Sequence, residues 1–160
     1  MNLEQRAAAL LDKCRARGFK IASAESCTGG MMAALLTSVA GSSDVFDCGF
    51  VTYSNEAKKR MLGVSPDVIV EFGAVSRECS LAMAHGAILK SVATLAVSIT
   101  GIAGPGGGST AKPVGLVHFA CAQKNGATLH REEKFGDIGR DGVRKASVEV
   151  ALELLEAQLL

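Results

Sequence analysis

Apolar runs that switch between helical and extended spacing constrain this chain more than any other feature. Leu3, Ala7, Leu10, Leu11 and Cys14 recur at helical spacing behind Asn2, with Gln5 three residues on and Gly18 as a stop, so the chain opens on a capped helix. "FKIASA" then reads as a short strand and "GGMMAALLTSVAG" as a helix ending near Gly41. "FDCGFVTYS" reads as a second strand that gives way at Ser54 or Asn55 to the short helix "NEAKKRMLG". "SPDVIVEFG" places Pro66 at a first helical position, "SRECSLAMAHGAILKSV" has a small-residue helical face, and "TLAVSITG" is a buried-looking strand. After the Gly- and Pro-dense segment "GIAGPGGGSTAKP", the runs "VGLVHFACAQ" and "ATLHREEKF" form a hairpin at Asn125-Gly126, and a last helix starts near Asp141. Alternating helices and strands followed by a hairpin imply an α/β fold: a three-layer α/β/α sandwich around a mixed central sheet.

No internal repeat and no domain boundary interrupts this pattern, so residues 1–160 read as one domain. A domain of that size buries about 70% of the surface its unfolded form exposes. Six Phe, one Tyr and no Trp mean that Ala, Val, Leu and Ile must fill the core, which suits closely packed layers. A net charge of +1 without a basic stripe argues against a nucleic-acid partner. The charged N-terminus argues against a signal peptide or a membrane span. Five scattered cysteines, Cys14, Cys27, Cys48, Cys79 and Cys121, without a C-x-x-C pair point to reduced thiols, with neither a disulfide frame nor a zinc site, and so to a cytoplasmic protein.

Three segments carry chemistry. "AESCTGG" leads from a strand into a helix, where Ser26 or Thr28 is placed to cap, and where glycine-flanked N–H groups also suit a phosphate or an oxyanion. Cys27 is the rival nucleophile, but its candidate bases, His85, His118 and His130, sit in patterns that are more often structural, and a small buried thiol is the preferred reading. In "YSNEAKKRM", Lys58, Lys59 and Arg60 fan around one helical turn, so one of them at most points into a pocket. To act as a base, a lysine must lose much of its ordinary pKa of about 10.4; burial and two neighbouring cations both push that way. "GIAGPGGGST" matches neither a Walker loop nor a Rossmann turn, and stands as an N–H-rich loop at a strand end. In "GRDGVRK", Arg140, Arg144 and Lys145 crowd a helix start that disfavours positive charge. Asp141 cannot offset all three, so an anionic ligand is expected there, with Arg144 at the edge of the apolar stripe Val148, Ala151 and Leu155.

Taken together, "AESCTGG", "GSSDVFDCGFVTYSNEAKKRMLGV", "GAVS", "SITGIAGPGGGS", "KPVGLV" and "RDGVRKA" closely resemble, in this order and over most of the chain, the C-terminal domain of the competence/damage-inducible protein CinA. That family includes stand-alone nicotinamide-nucleotide amidases; its larger members carry an additional N-terminal domain, which this chain is expected to lack. The resemblance implies hydrolysis of the carboxamide of nicotinamide mononucleotide to nicotinic acid mononucleotide and ammonia, in pyridine nucleotide recycling, by a Ser–Lys pair with no metal or other cofactor. Carried over by motif, Ser26 is the nucleophile, Lys58 its base, and Tyr53 a tyrosine near the pair. The mechanism that this implies would use N–H groups near Thr28, Gly29 or Gly30 to hold the oxyanion, with Thr100, Gly101 and Gly104 as further substrate-binding positions and Arg144, aided by the Gly104–Ser109 loop, as the natural partner of the 5′-phosphate. Ser26 and Lys58 lack the S-x-x-K spacing of the penicillin-binding enzymes, so only the fold can bring them together. Two other classes compete: a non-catalytic nucleotide-binding or regulatory module, and a Cys27 hydrolase. The expected partners are a small nucleotide and, for an oligomer, a second copy of the chain, with neither nucleic acid nor membrane.

Overall fold

Local chemistry sets the ends of the elements in the computed structural model, which describes residues 1–160. Helix α1 (Leu3–Arg17) opens on a reciprocal cap: the Gln5 N–H donates to Asn2 Oδ1 at 2.8 Å and the Asn2 N–H to Gln5 Oε1 at 3.0 Å. It is followed by β1 (Ile21–Glu25), α2 (Met31–Thr37), a 3-10 turn (Ser42–Asp44), β2 (Phe46–Val51), α3 (Asn55–Leu62) and α4 (Pro66–Phe72). Then come α5 (Arg77–Leu89), β3 (Leu95–Gly101), β4 (Leu116–Gln123), β5 (Thr128–Lys134) and α6 (Arg140–Ala157). No helix is long and apolar enough to cross a membrane.

The expected hairpin is present. Asn125 takes a positive φ of 57° and the Gly126 N–H returns to Gln123 O, joining β4 to β5 in antiparallel register. The second helix is shorter than its apolar pattern suggests. It stops at Thr37 because the Thr37 and Ser38 hydroxyls donate back to Ala33 O and Leu35 O, each at 2.7 Å, which satisfies the last carbonyls before Gly41.

The sheet runs in the order β2-β1-β3-β4-β5, with β1 parallel to both neighbours and the last two strands antiparallel. This is the mixed, three-layer arrangement expected from the sequence. On one face Ile21, Val97, Ile99, Val117 and Phe119 pack against α1, α2 and α6. On the other, Ala22, Ala24 and Ala96 meet Cys79, Met83 and Ala87 of α5, with Leu62 and Val64 of the α3 end closing the layer. Small side chains on both sides let α5 lie close to the sheet.

Gly86 shows how close the second layer is: a Cβ there would lie 2.0 Å from Leu62 O, a backbone atom that cannot swing away. Gly86→Ala is therefore expected to destabilise the protein by about 2 kcal/mol, as overpacked cores do. In a domain of this length that lowers Tm by about 5 °C, a loss measurable by thermal denaturation.

Candidate active site

The parallel strands β1, β2 and β3 end together, and the chain leaving each one contributes to a single cavity. Past the end of β1, the Ser26 N–H still donates to Ile99 O of β3 at 2.9 Å, so the residue after the strand is held as firmly as the strand itself. The chain then turns sharply: the Gly29 N–H donates to Ser26 O and the Met31 N–H to Thr28 O, with Gly29 and Gly30 at positive φ of 56° and 105°. Two consecutive left-handed residues explain the paired glycines.

Neither Ser26 nor Thr28 caps α2, contrary to the expectation from sequence. Glu25 does. Its carboxylate, buried at the strand end, accepts from the Met32 N–H at 2.9 Å and the Ala33 N–H at 3.1 Å, and the Thr28 hydroxyl donates to it at 2.6 Å. A carboxylate satisfies two orphan amides at once and matches the positive end of the helix, which a hydroxyl cannot do. The N-terminus of α2 is thus already occupied by an anion.

From β2 the chain is tied back by the Thr52 N–H, which donates to Glu25 O at 2.8 Å, and α3 starts behind Ser54, whose Oγ accepts from the Ala57 N–H. That start fixes which cation faces inward. Lys59 pairs with Glu56 on the surface, whereas Lys58 is only 1% exposed. Its Nζ lies 3.0 Å from Ser26 Oγ and 2.9 Å from Thr52 O, and no carboxylate stands within ion-pair distance of it.

Burial without a counter-charge lowers the Lys58 pKa. The neighbouring thiols, which would oppose this as thiolates, are themselves pushed up by burial, Cys27 to about 11, and stay neutral. Lys59 and Arg60 are not the cause, contrary to expectation; they lie on the outer faces of α3, and desolvation does the work. Because the Thr52 carbonyl can only accept, one N–H of the amine is committed to it. The lone pair of the neutral amine is then free to take the Ser26 hydroxyl proton.

Cys27 is only 5% exposed, packs in the core cluster and has no histidine as a hydrogen-bond partner. The rings of His118 and His130 hydrogen-bond each other at 3.0 Å, and His85 meets Thr128. The thiol is a small core residue, as preferred above.

The cavity over Ser26 and Lys58 measures about 280 Å³. Thr100 and Gly101 line its inner part, although the Thr100 hydroxyl is spent on Ala74 O at 2.8 Å. Tyr53, Gly106 and Gly107 form its outer part with Arg140, and Gly104, itself buried, lines it as well. Tyr53 is 61% exposed and touches neither Ser26 nor Lys58 by hydrogen bond. Its hydroxyl accepts from Arg140 at 2.9 Å, while Arg140 also donates to Gly104 O at 2.7 Å. The N–H groups of Ala103, Gly104, Gly106, Gly107 and Gly108 have no partner in the chain.

Arg144 does not line this cavity. Its guanidinium lies against the turn after Ser26, donating to Cys27 O at 3.1 Å and Thr28 O at 3.3 Å. Thr28, Gly29 and Gly30 also lie outside the lining. The N–H of Gly29 is spent on Ser26 O, whereas those of Cys27, Thr28 and Gly30 are unpaired. Several lining residues, among them Ala74, Val75, Ile102 and Ala103, had no role in the sequence reading, and two of the polar ones were missed as well. Arg140 was present as one of the crowded cations of α6, and Asn55 carried only its place after the cap Ser54.

A model of the CinA C-terminal domain matches residues 3–159. The chain belongs to the CinA C-terminal domain family. A relative from Escherichia coli, named nicotinamide-nucleotide amidohydrolase PncC, is 50% identical over 91% of this chain and 88% of its own length. A CinA-like protein of a Geobacter species is 51% identical over 99% of this chain, which spans 37% of that longer protein. Among solved structures, the competence/damage inducible protein CihA from Agrobacterium tumefaciens superposes with a TM-score of 0.95 at 54% identity, covering 97% of this chain and 94% of that one. This CinA domain thus has relatives both as a stand-alone protein and as one part of longer ones.

A buried, unpaired amine costs stability. Its folded pKa lies below its unfolded one, so the unfolded chain holds the proton more tightly and stability rises with pH until the unfolded lysine itself deprotonates. Lys58→Met is accordingly expected to raise Tm at neutral pH, and the gap from wild type is expected to narrow at alkaline pH in calorimetric scans. A variant that melts below wild type at neutral pH would contradict this account.

Proposed function

We infer that this chain is a nicotinamide-nucleotide amidohydrolase, converting nicotinamide mononucleotide and water to nicotinic acid mononucleotide and ammonia, with residues 1–160 acting as one catalytic domain. The observation that carries the reading is the 3.0 Å contact between Lys58 Nζ and Ser26 Oγ in a buried setting without a carboxylate. The PncC relative supports the choice of substrate. A module that only binds nucleotides has no use for a desolvated amine with no counter-charge, which disfavours the non-catalytic reading.

Neutral Lys58 takes the Ser26 hydroxyl proton as Oγ attacks the carboxamide carbon. Charge develops on the carbonyl oxygen, and in this reading the N–H of Cys27, the residue that follows the nucleophile and lines the cavity, receives it. The tetrahedral adduct collapses when Lys58 returns the proton to the leaving nitrogen, which departs as ammonia and leaves a nicotinoyl ester on Ser26. Water, deprotonated by the same amine, cleaves that ester; the C–O bond to Ser26 breaks and its hydroxyl is restored.

Arg140 meets the 5′-phosphate in this reading, since it lines the cavity, has no carboxylate partner and stands beside the unpaired N–H groups of the Gly104–Gly108 loop. Tyr53 steadies that arginine.

Ammonia release from nicotinamide mononucleotide tests the reading. Ser26→Ala and Lys58→Arg are each expected to lose about 10³-fold or more in kcat, the second because a guanidinium cannot accept the proton. Hydroxylamine added to wild type is expected to intercept the ester as a hydroxamate; turnover that survives Ser26→Ala would end this mechanism. The pH dependence has a definite sign. Protonated Lys58 cannot act as base, so kcat/KM is expected to rise with pH through the lowered pKa of Lys58 and level off below the range of an ordinary lysine.

A further inference from the structure

The chain that follows β2 lines the cavity with three polar side chains, and two of them already have a place in the reaction. Tyr53 hydrogen-bonds Arg140, Lys58 reaches Ser26, and Asn55 lies between them in the chain. Building on the amidohydrolase reading, we propose that Asn55 is the ribose ligand of this cavity: its side-chain amide hydrogen-bonds the 2′,3′-diol of the nucleotide and selects it over a sugar without those hydroxyls.

Asn55 is free for this task. It is the first residue of α3, but Ser54 does the capping through its Oγ, and Lys59 and Glu56 pair with each other on the surface. The Asn55 side chain is exposed at the cavity and makes no hydrogen bond within the chain. The other polar groups of the lining are committed. Ser26 and Lys58 hold each other for the chemistry, the Thr100 hydroxyl donates to Ala74 O at 2.8 Å, and the Tyr53 hydroxyl accepts from Arg140 at 2.9 Å. A vicinal diol presents two donors and two sets of lone pairs, so its recognition takes an acceptor as well as a donor. No carboxylate lines the cavity. Asn55 Oδ1 is therefore the one carbonyl-type acceptor that a lining side chain offers, and the N–H groups of the same amide serve the second hydroxyl.

Spacing agrees with the shape of the substrate. Asn55 and Lys58 are three positions apart on α3, which puts them on one face with Cβ atoms about 5–6 Å from each other. In nicotinamide mononucleotide the carboxamide and the ribose sit meta on the pyridine ring, and the phosphate lies beyond the sugar. With the carboxamide at Ser26, the diol falls to Asn55 and the phosphate to Arg140, in the order in which the nucleotide carries them.

The charge of the position matters as much as its reach. Dinucleotide-binding α/β folds commonly take the ribose with Asp or Glu, and the first turn of a helix favours an acid. A carboxylate one turn from Lys58 would stabilise the protonated amine and undo the base. The groups that face Lys58 from other elements carry no negative charge: Cys27 after β1 and Cys79 of α5 are thiols kept protonated by burial, and Arg140 across the cavity is a cation. On its own helix, Glu56 is turned to the surface against Lys59, and Arg60 is exposed. An amide at position 55 reads the diol without disturbing that balance.

Nicotinamide mononucleotide and its 2′,3′-dideoxy analogue, each assayed by ammonia release with wild type, Asn55→Ala and Asn55→Asp, test the assignment, and thermal scans confirm folding. Wild type is expected to favour the ribonucleotide by about tenfold in kcat/KM, the scale of two neutral hydrogen bonds. Asn55→Ala is expected to lose about tenfold on the ribonucleotide and to treat the two substrates alike within about threefold. Asn55→Asp is expected to keep the preference for the diol, while its kcat/KM rises at a higher pH than that of wild type because Lys58 holds its proton longer. The acid suits a helix start, so this variant carries the test should the alanine variant fail to fold. Equal use of the two substrates by wild type, or a preference for the ribonucleotide that survives Asn55→Ala, would overturn the proposal while leaving the amidohydrolase reading intact. An acid limb that Asn55→Asp leaves in place would overturn the reason given for an amide at this position. Wild type that releases no ammonia from either substrate would overturn the amidohydrolase reading and the proposal with it.

Discussion

Burying the Lys58 amine without an opposite charge is the constraint around which the rest of this structure is arranged. Water would keep that amine protonated and useless as a base; a carboxylate partner would do the same more strongly. Here it meets a carbonyl and a hydroxyl, Thr52 O and Ser26 Oγ, both of which tolerate the neutral form. The nearby thiols of Cys27 and Cys79 add polarizable bulk without adding charge, since burial keeps them protonated. The amine itself is buried, whereas Tyr53 and Arg140 on the other side of the cavity are exposed, so the cavity reaches an amine that is otherwise shielded from solvent.

Sheet topology explains why residues 32 positions apart meet. β1 is central and parallel to both neighbours, so the chain leaves β1, β2 and β3 at one edge, where ligands of open α/β sheets commonly bind. Ser26 follows β1, Thr52 follows β2 and leads to Lys58, and Thr100 and Gly101 end β3. Hydrogen bonds carry the ladder one residue beyond the strands, from Ser26 to Ile99 and from Thr52 to Glu25, so Ser26 and Thr52 are tied into the sheet. The alanine-rich layer beneath α5 keeps this edge compact, because α5 and the end of α3 approach to backbone contact at Gly86 and Leu62.

The element order, the capping box at Asn2 and the Asn125-Gly126 turn were legible in the sequence because each rests on neighbours two or three positions apart. The pairing of Ser26 with Lys58 was not legible from spacing; it came from resemblance, and only the sheet edge gives it a physical reason. The cap of α2 was misread for a related cause. Local rules look for a hydroxyl at the helix start, whereas Glu25 reaches Met32 and Ala33 across seven and eight positions from the end of a strand. The lowered pKa of Lys58 was anticipated for a partly wrong reason, since adjacent cations in sequence point to different sides of a helix and only burial reached the amine.

The crowded cations at the start of α6 looked, from the sequence, like a demand for an anion, and the structure answers with carbonyl oxygens. Arg140 and Arg144 are one helical turn apart on the same face, about 6 Å along the axis. That spacing lets one helix address two places: Arg140 reaches Gly104 O and Tyr53 at the cavity, and Arg144 reaches Cys27 O and Thr28 O in the turn after Ser26. A carbonyl oxygen carries only partial negative charge, so it offsets the unfavourable helix dipole without neutralising the guanidinium. Arg140 is thus left without a counter-charge at the cavity, while Arg144 has two of its donors engaged by the turn. Two identical side chains four residues apart thus meet different surroundings, one in the lining of the cavity and the other against the backbone of the turn after Ser26.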